Sequence, residues 1–491
     1  MNFISIRLCE HDSNISFFDG EEIHYLKSER IFDTKHHAYN NLIEWRQTVF
    51  DHWNIDINDV KEMSVVLDPW IYNFPLDKKI FFPSTKFYCH ELGNVTRVNH
   101  HWAHALSNNL VHGDMKNHMI IDGFGDKDVA TTVFKNNKLV QTTSFSKHGS
   151  IGTYYGDVAL DLGIKVSHEC DLAGKLMGLQ SYGSLDKGFY NTIKNFDITK
   201  VKQIYDFNLY IDYKKDPLIA FHNKLNWAHT IHKRLGEVIL EYFKKHFKKK
   251  DTIGYAGGVA HNIIWNTLLK EEYPNLNIPP HCDDEGLSLG GVKFLLDKYK
   301  IKKYKLNNFP FCQTDESTEE PSIDTVKKIA KYLAKGEIVA WYQGHGEIGA
   351  RALGHRSILM NPYVKDAKEK LNKIKNREVY RPFGASVLEE DYSKYTKARY
   401  LNPYMLYVNY LIKDLDSVQH VDKTCRLQSV SKDNKYFYAL LQEYKKITGE
   451  SLIINTSLNI SGKPIMNNIK SLFKFKNDNN IKAVYGNTII R

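Results

Sequence analysis

The pattern that most restricts how this chain can fold occurs twice. A short apolar run, Phe3–Leu8, leads into the polar turn Glu10-His11-Asp12-Ser13-Asn14. A second run, Ile15–Phe18, turns at Asp19-Gly20 into a third, Glu22–Lys27. The same order returns at His118–Ile121, the turn Asp122-Gly123, Val129–Phe134, the turn Asn136-Asn137 and Leu139–Phe145. Runs of this length, joined by Asp-Gly and Asn-rich turns, predict strands and hairpins. Two copies predict an internally duplicated α/β domain. Such a duplication sets two polar loops facing each other across a cleft, where a nucleotide phosphate can sit.

At 491 residues the chain is too long for one core. Ser150–Gly156 and Ala173–Gly183 read as Gly-marked loops, and Trp227–Phe247 has the apolar spacing of a helix. Thr252–Ala256 reads as a buried strand that enters the turn Gly257-Gly258, followed by a helix through Asn266 and Leu269. Paired glycines let a backbone approach a nucleotide, and the helix start favours an anion. Pro279–Gly286 is an acidic turn that opens a helix at Leu289-Gly290-Gly291. Lys302–Pro321 is polar and reads as a linker between a first domain, 1–305, and a second, 322–491. In the second, Ile323–Leu333 is an amphipathic helix and Gly336–Tyr342 a strand.

Hydrophobic content of 42% and charged content of 25% are ordinary for a soluble protein, and no apolar run is long enough to span a bilayer. The first residues carry no secretory pattern. Cys9, Cys89, Cys170, Cys282, Cys312 and Cys425 are scattered without a Cys-x-x-Cys pair, which fits reduced thiols in a cytoplasmic protein. The net charge of +10 invites a polyanion. Residues 184–250 hold 14 Lys/Arg and 7 Asp/Glu, hence +7, together with Phe189, Tyr190, Tyr205, Tyr210, Trp227 and Phe247. Cations interleaved with rings suit a nucleic-acid face; a solvated surface over core aromatics is the alternative.

Chemistry concentrates at Asn99-His100-His101-Trp102-Ala103-His104-Ala105. His100 and His104 are four apart, so on a helix they share a face and can share a metal. Asp122 offers a carboxylate at the end of an apolar run, and the acidic turn Asp283-Asp284-Glu285 offers others. In the second domain Arg351, Arg356, Arg377 and Arg381 stand near Gly, Ser and Asn turns. A guanidinium fork binds phosphate or carboxylate bidentately.

Together these stretches resemble the O-carbamoyltransferase family of the nodulation, cephamycin and tobramycin enzymes, over nearly the whole chain. The resemblance rests on Glu10-His11-Asp12-Ser13, His100–Ala105, Asp122-Gly123-Phe124-Gly125-Asp126, Gly257–Asn262, Gly349–Gly354, Arg377–Phe383 and Asn455-Thr456-Ser457-Leu458-Asn459, in that order. It implies a first domain like the tRNA threonylcarbamoyl-transfer subunit, of the sugar kinase/chaperone/actin superfamily, and a YrdC-like α/β second domain. The second would make carbamoyl adenylate from carbamoyl phosphate and ATP, with Mg2+. The first would transfer the carbamoyl group to a hydroxyl.

By position, the resemblance puts a metal, typically iron, between His100, His104, Asp122 and Asp284, with Asp283 a rival for the last place. It makes His11 and Asp12 catalytic, with His11 the general base. It puts the transfer domain's nucleotide against Asp126, Lys175, Gly257, Gly258 and Asn262. Carbamoyl phosphate and ATP fall to Arg351, Arg356, Arg377, Arg381, Ser457 and Asn459. Departures from the family pattern stand at His345, Ala350, His261, Ala173, Gln180 and Ser181. Because small-sugar enzymes need no basic aromatic segment, the expected acceptor is a hydroxymethyl pyrimidine in DNA, 5-hydroxymethylcytosine. A sugar or antibiotic hydroxyl is the alternative, and tRNA threonylcarbamoylation a more distant one. An ATP-driven scaffold is a non-catalytic rival, which has no need of the paired histidines and aspartates. A homodimer is one assembly this reading allows.

Overall fold

The computed structural model describes residues 1–8, 11–39, 42–67, 85–89, 93–206, 217–306, 308–315 and 318–490. Cys9, Glu10 and Tyr210 therefore lie outside the described residues. The chain divides into two compact units, Met1–Glu29 with His36–Asn307, and Arg30–Lys35 with Asn308–Arg491.

In the first unit the repeated pattern becomes two sheets. The first contains β1 (Phe3–Arg7), β2 (Asn14–Phe18), β3 (Glu22–Lys27), β4 (Glu62–Val66), β5 (Thr85–Cys89) and β6 (Gly93–Arg97), in the order β3-β2-β1-β4-β6-β5. The second contains β7 (His118–Ile121), β8 (Val129–Lys135), β9 (Lys138–Ser144), β10 (Ile253–Ala256) and β11 (Leu276–Asn277), in the order β9-β8-β7-β10-β11. A short β12 (Lys305–Leu306) extends the first sheet beside β3. Each sheet begins as an antiparallel meander of three strands and continues on the other side of its first strand with two parallel neighbours, to which the first sheet adds β5 antiparallel to β6. The two sheets thus repeat one strand arrangement, the duplication that the sequence predicts. The β2–β3 hairpin has a local cause: Asp19 Oδ1 accepts hydrogen bonds from the Glu21 and Glu22 amides at 2.8 and 2.7 Å.

Strand β1 is buried along its whole length because a helix, Leu287–Lys298, lies on it. Gly291 permits that approach to β1, and Gly290 brings the same helix against the helix His100–His112, which carries the paired histidines. A Cβ on Gly290 would stand 2.0 Å from the Ala103 carbonyl oxygen, and one on Gly291 1.9 Å from Ser5 Oγ.

Two stretches expected as loops are helices. Ile151–Asp161 is capped by Ser150 Oγ, which accepts from the Thr153 amide, and it buries Ile151, Tyr155, Val158 and Ala159 on one face. Leu172–Leu179 buries Leu172 and Leu176, one turn apart. Glycine suggested a break at both places, and apolar spacing decided otherwise.

The second unit is a mixed eight-stranded sheet: β13 (Val339–Tyr342), β14 (Arg356–Met360), β15 (Gly384–Leu388), β16 (Asn409–Tyr410), β17 (Thr424–Val430), β18 (Ile453–Ser457), β19 (Lys482–Tyr485) and β20 (Thr488–Ile490). They run in the order β16-β17-β15-β18-β14-β13-β19-β20. Alternation along β13 feeds two cores. Val339 and Trp341 pack with Val326, Ile329, Leu333 and Leu440 from the helices Ile323–Ala334 and Lys435–Thr448. Ala340 and Tyr342 pack on the other side with Leu371, Leu472 and Phe475.

The expected linker differs from the structure. Residues 308–321 belong to the second unit. Gln313 bridges to Gly346, and the buried Asp315 pairs with Arg356 at 2.8 Å. Polarity suggested solvent, but a buried ion pair used it. No helix of the described residues is long and apolar enough to cross a membrane.

Candidate active site

The paired histidines are positioned by the start of their helix. Asn99 caps it, its Oδ1 accepting from the Trp102 amide at 3.0 Å. Buried Asp126 accepts from the His100 amide at 3.0 Å and from Asn99 Nδ2 at 2.7 Å, and pairs with Arg97. The expectation that Asp126 touches a nucleotide is thus replaced: both its oxygens are spent on this helix start. His101 turns away, hydrogen-bonded to Thr132 Oγ1 at 2.7 Å, and burial pushes its pKa down to about 3.

His100 and His104 face one way, one turn apart, with their Nε2 atoms 3.2 Å from each other. Asp122 comes from the loop after β7, and its Oδ2 stands 2.9 Å from His104 Nε2 and 3.5 Å from His100 Nε2. Asp284 comes from the single turn Asp284–Gly286, and its Oδ1 stands 3.1 Å from His100 Nε2 and 3.4 Å from His104 Nε2. Its other oxygen pairs with buried Arg7 at 3.0 Å. Burial works against the Asp122 charge, yet the two imidazoles hold its carboxyl well below the usual range, while Asp284 opposes them. Burial also works against a charge on His104, but Asp122 and Asp284 raise it. Two imidazole nitrogens and two repelling carboxylate oxygens in a buried space form a donor set that fits a divalent first-row cation.

Asp283, the rival ligand, points elsewhere. Its Oδ2 meets His261 Nε2 at 2.8 Å, and its Oδ1 accepts from the Glu285 amide at 3.1 Å. Two neighbours on one turn cannot aim at the same point, and Arg7 selects Asp284.

The Gly257-Gly258 turn lies against this cluster. Gly257 has φ +96, and a Cβ there would meet the Ile121 carbonyl oxygen at 2.3 Å; one on Gly258 would stand 3.0 Å from Asp122 Oδ1. Asn262 caps the helix Ile263–Glu272, accepting from the Ile264 and Trp265 amides at 3.2 Å each, so its carbonyl oxygen is engaged within the fold. Lys175 lies on the helix Leu172–Leu179, and its Nζ donates to the Lys165 carbonyl at 2.8 Å.

His11 and Asp12 sit in the polar turn after β1. His11 Nδ1 is 2.9 Å from Asp12 Oδ2, and the His11 side chain is 29% exposed. Burial opposes a charge on His11, but hydrogen bonds to Asp12 and Cys170 raise its pKa well above the usual histidine value. Asp12 also receives His36 Nδ1 at 3.0 Å and faces Lys27 Nζ at 3.5 Å.

In the second unit a group of cations converges. Burial, then Arg351, Arg377 and Arg381, push Arg426 well below its usual value. Burial, then Arg381, lower Arg377 to about 9. Arg377 Nη2 donates to the Arg381 and Pro382 carbonyls at 3.0 and 2.8 Å, and its guanidinium lies 4.0 Å over the Phe383 ring. Buried Lys375 joins them; burial, then Arg377 and Arg381, depress its pKa. Its Nζ donates to Ser457 Oγ at 3.1 Å, to the Ser457 carbonyl and to Asn459 Oδ1. Ser457 and Asn459, expected to bind ligand, thereby orient Lys375. Cations that depress one another favour an anion among them.

Arg356 is a correction. Expected at this anion site, its fully buried guanidinium is engaged by Asp315 at 2.8 Å, by the Gln343 and Gly344 carbonyls at 2.7 and 2.8 Å, and by the Tyr342 ring at 3.5 Å. Lys375 and Arg426 were the residues that sequence reasoning left out. Lys375 ends the Lys-rich helix Ala367–Lys375, where nothing in the local pattern separates it from Lys368, Lys370 and Lys373.

The basic segment also changes character. Phe189, Trp227 and Phe247 are buried, and Tyr205 stacks on Tyr154 with centroids 5.0 Å apart. Tyr190 donates its hydroxyl hydrogen to Glu237 at 2.8 Å. These rings serve packing and internal contacts, which removes the stacking argument for a nucleic-acid face.

Two family models match the chain: Carbamoyltransferase N-terminus over residues 57–293 and Carbamoyltransferase C-terminus over residues 330–491. Nodulation protein NolO of Bradyrhizobium diazoefficiens is 27% identical over 76% of this chain and 74% of its own. An uncharacterised protein of Methanocaldococcus jannaschii is 30% identical over 80% of this chain and 73% of its own. The 3'-hydroxymethylcephem-O-carbamoyltransferase of Amycolatopsis lactamdurans is 29% identical over 50% of this chain and 49% of its own.

Proposed function

The chain belongs to the carbamoyltransferase family, and on that premise we propose that in the second unit water releases phosphate from carbamoyl phosphate and the resulting carbamate attacks the ATP α-phosphorus, expelling pyrophosphate to give carbamoyl adenylate, and that the first unit transfers the carbamoyl group to an acceptor hydroxyl. The observation that carries the reading is the buried His100, His104, Asp122, Asp284 cluster beside the Gly257-Gly258 turn.

In the second unit Arg351, Arg377, Arg381, Arg426 and Lys375 bind the phosphates of carbamoyl phosphate and ATP. Their mutual repulsion makes an anion stabilising there. Lys375, held by Ser457 and Asn459, presents one oriented charge to the reacting oxygens. In the first unit His100, His104, Asp122 and Asp284 would hold a divalent cation, which when bound supplies Lewis-acid stabilisation to a phosphate oxygen. The backbone at Gly257-Gly258 admits the nucleotide. His11, oriented by Asp12, accepts the acceptor's hydroxyl proton as its oxygen attacks the carbamoyl carbon; the bond from that carbon to the adenylate oxygen breaks and AMP leaves.

The acceptor is a small hydroxyl compound, such as a sugar or an antibiotic precursor. The burial of Phe189, Trp227 and Phe247 favours it over a hydroxymethyl pyrimidine in DNA, and the similarity to the 3'-hydroxymethylcephem-O-carbamoyltransferase points the same way. The test is incubation with carbamoyl phosphate, ATP, Mg2+ and panels of hydroxyl compounds, read by mass spectrometry for an added carbamoyl group. Carbamoylated small molecules are the expected result. Carbamoylation of hydroxymethylated DNA, with binding that falls steeply as salt rises, would restore the DNA reading.

A further inference from the structure

A second cluster of ligating side chains lies in the first unit. One imidazole nitrogen of His36, one of His168 and the Cys170 thiol are within 4.8 Å of one another. They come from separate stretches: His36 follows β3, whereas His168 caps the single turn Glu169–Asp171 and Cys170 is its middle residue. The His36 and His168 rings stack with centroids 4.5 Å apart.

Each donor is fixed by a different neighbour. His36 Nδ1 meets the Asp12 oxygens at 3.1 and 3.0 Å, and the His36 amide donates to Glu29 Oε2 at 3.0 Å. The residue is held in the left-handed region, at φ +56. With Nδ1 taken, Nε2 is the nitrogen left to ligate; it is buried and makes no hydrogen bond. Asp171 Oδ1 stands 3.6 Å from it. His168 Nδ1 accepts from the Cys170 amide at 3.3 Å, which leaves its Nε2 for a ligand. Protein atoms around the thiol of Cys170 partly desolvate it and oppose its ionisation although the residue reaches solvent, but His11 and His168 hold it below the usual value. The exposed position of Cys170 gives an ion a path from solvent.

We infer that His36, His168 and Cys170 form a second metal site, selective for a soft divalent cation of the zinc class, with Asp171 in reach as a fourth ligand. A tetrahedral zinc ion with two imidazoles and a thiolate needs donor atoms about 3.3–3.6 Å apart, within rotamer reach of the observed cluster. The thiolate sets it apart from the His100 site, whose donors are nitrogen and oxygen alone. Binding takes the proton from the Cys170 thiol and any proton from His36 Nε2, and both go to solvent. The inference does not rest on the carbamoyl reading.

Cobalt separates the two sites, because only a thiolate ligand gives sulfur-to-cobalt charge-transfer absorption. The full-length protein is stripped with chelator, titrated with Co2+ and then challenged with Zn2+. The expected result is a charge-transfer band that saturates at about one equivalent, is bleached by Zn2+ and persists in a His100→Ala, His104→Ala variant. The band is lost in Cys170→Ser. His36→Ala weakens Co2+ binding by more than the ~10–100-fold that loss of a supporting partner costs. Circular dichroism checks that each variant is folded, and His168→Gln replaces Cys170→Ser if the latter is not. A wild-type protein without the band, or a band that survives in folded Cys170→Ser, overturns the assignment.

Discussion

Replacing Asp126 by alanine separates its structural role from the nucleotide contact expected at that position. The carboxylate accepts from the His100 amide at 3.0 Å and Asn99 Nδ2 at 2.7 Å, and it pairs with buried Arg97. Asp126→Ala leaves the Arg97 charge buried without this partner, and breaking such a pair costs about 3–5 kcal/mol. That cost falls on the start of the helix that carries His100 and His104. Hydrogen exchange read by mass spectrometry on peptides covering residues 97–112 measures it directly. Amides that exchange by opening of this region should exchange roughly 10²–10³-fold faster in the variant. Asp126→Asn keeps an acceptor but loses the charge, and should fall between. If Asp126 served mainly as a nucleotide contact, exchange would hardly change and nucleotide affinity alone would drop. A loss below about 1 kcal/mol would refute the anchoring argument.

Three further outcomes follow from the two sites. His100→Ala with His104→Ala should abolish carbamoyl transfer while carbamoyl-phosphate-dependent pyrophosphate release from ATP persists; full transfer activity would remove the metal assignment. Lys375→Met keeps most of the side-chain volume but not the charge, and should lower that pyrophosphate release by ~10²–10³-fold, as loss of one aimed donor does; unchanged turnover would place the chemistry elsewhere. For His11, burial lowers the pKa, but Asp12, Cys170 and Asp284 together raise it by more, so the folded residue keeps its proton at neutral pH and loses it only above. The basic form therefore grows as pH rises, and the transfer rate should climb above pH 7 in the wild type, with that climb absent in His11→Gln. A flat wild-type profile under transfer-limited conditions would contradict the base role.

Much of the first unit was legible because its signals are local. The Asp19-Gly20 hairpin depends on Asp19 reaching the amides of Glu21 and Glu22. The His100–His104 face depends on four-residue spacing and an Asn99 cap. Where a local signal was ambiguous, packing decided: glycines at Gly152, Gly156 and Gly174 suggested loops, but the buried faces of Ile151–Asp161 and Leu172–Leu179 made helices. In the second unit arginine beside a turn looked alike at every position. Arg356 went to a buried ion pair with Asp315, whereas Arg426 joined the cations.

By itself the sequence determined the duplicated hairpins, the histidine pair, the Gly257-Gly258 turn and the acidic turn, because each is set by residues a few positions apart. Tertiary structure alone decided that Asp284 rather than Asp283 meets the histidines, through an Arg7 contact 277 residues distant along the chain. It also decided that residues 308–321 are part of the second unit, that Lys375 belongs with the arginines, and that Phe189, Trp227 and Phe247 of the basic segment are buried. Each of these rests on which charge finds a partner once water is excluded, and that choice is made between segments far apart in the chain.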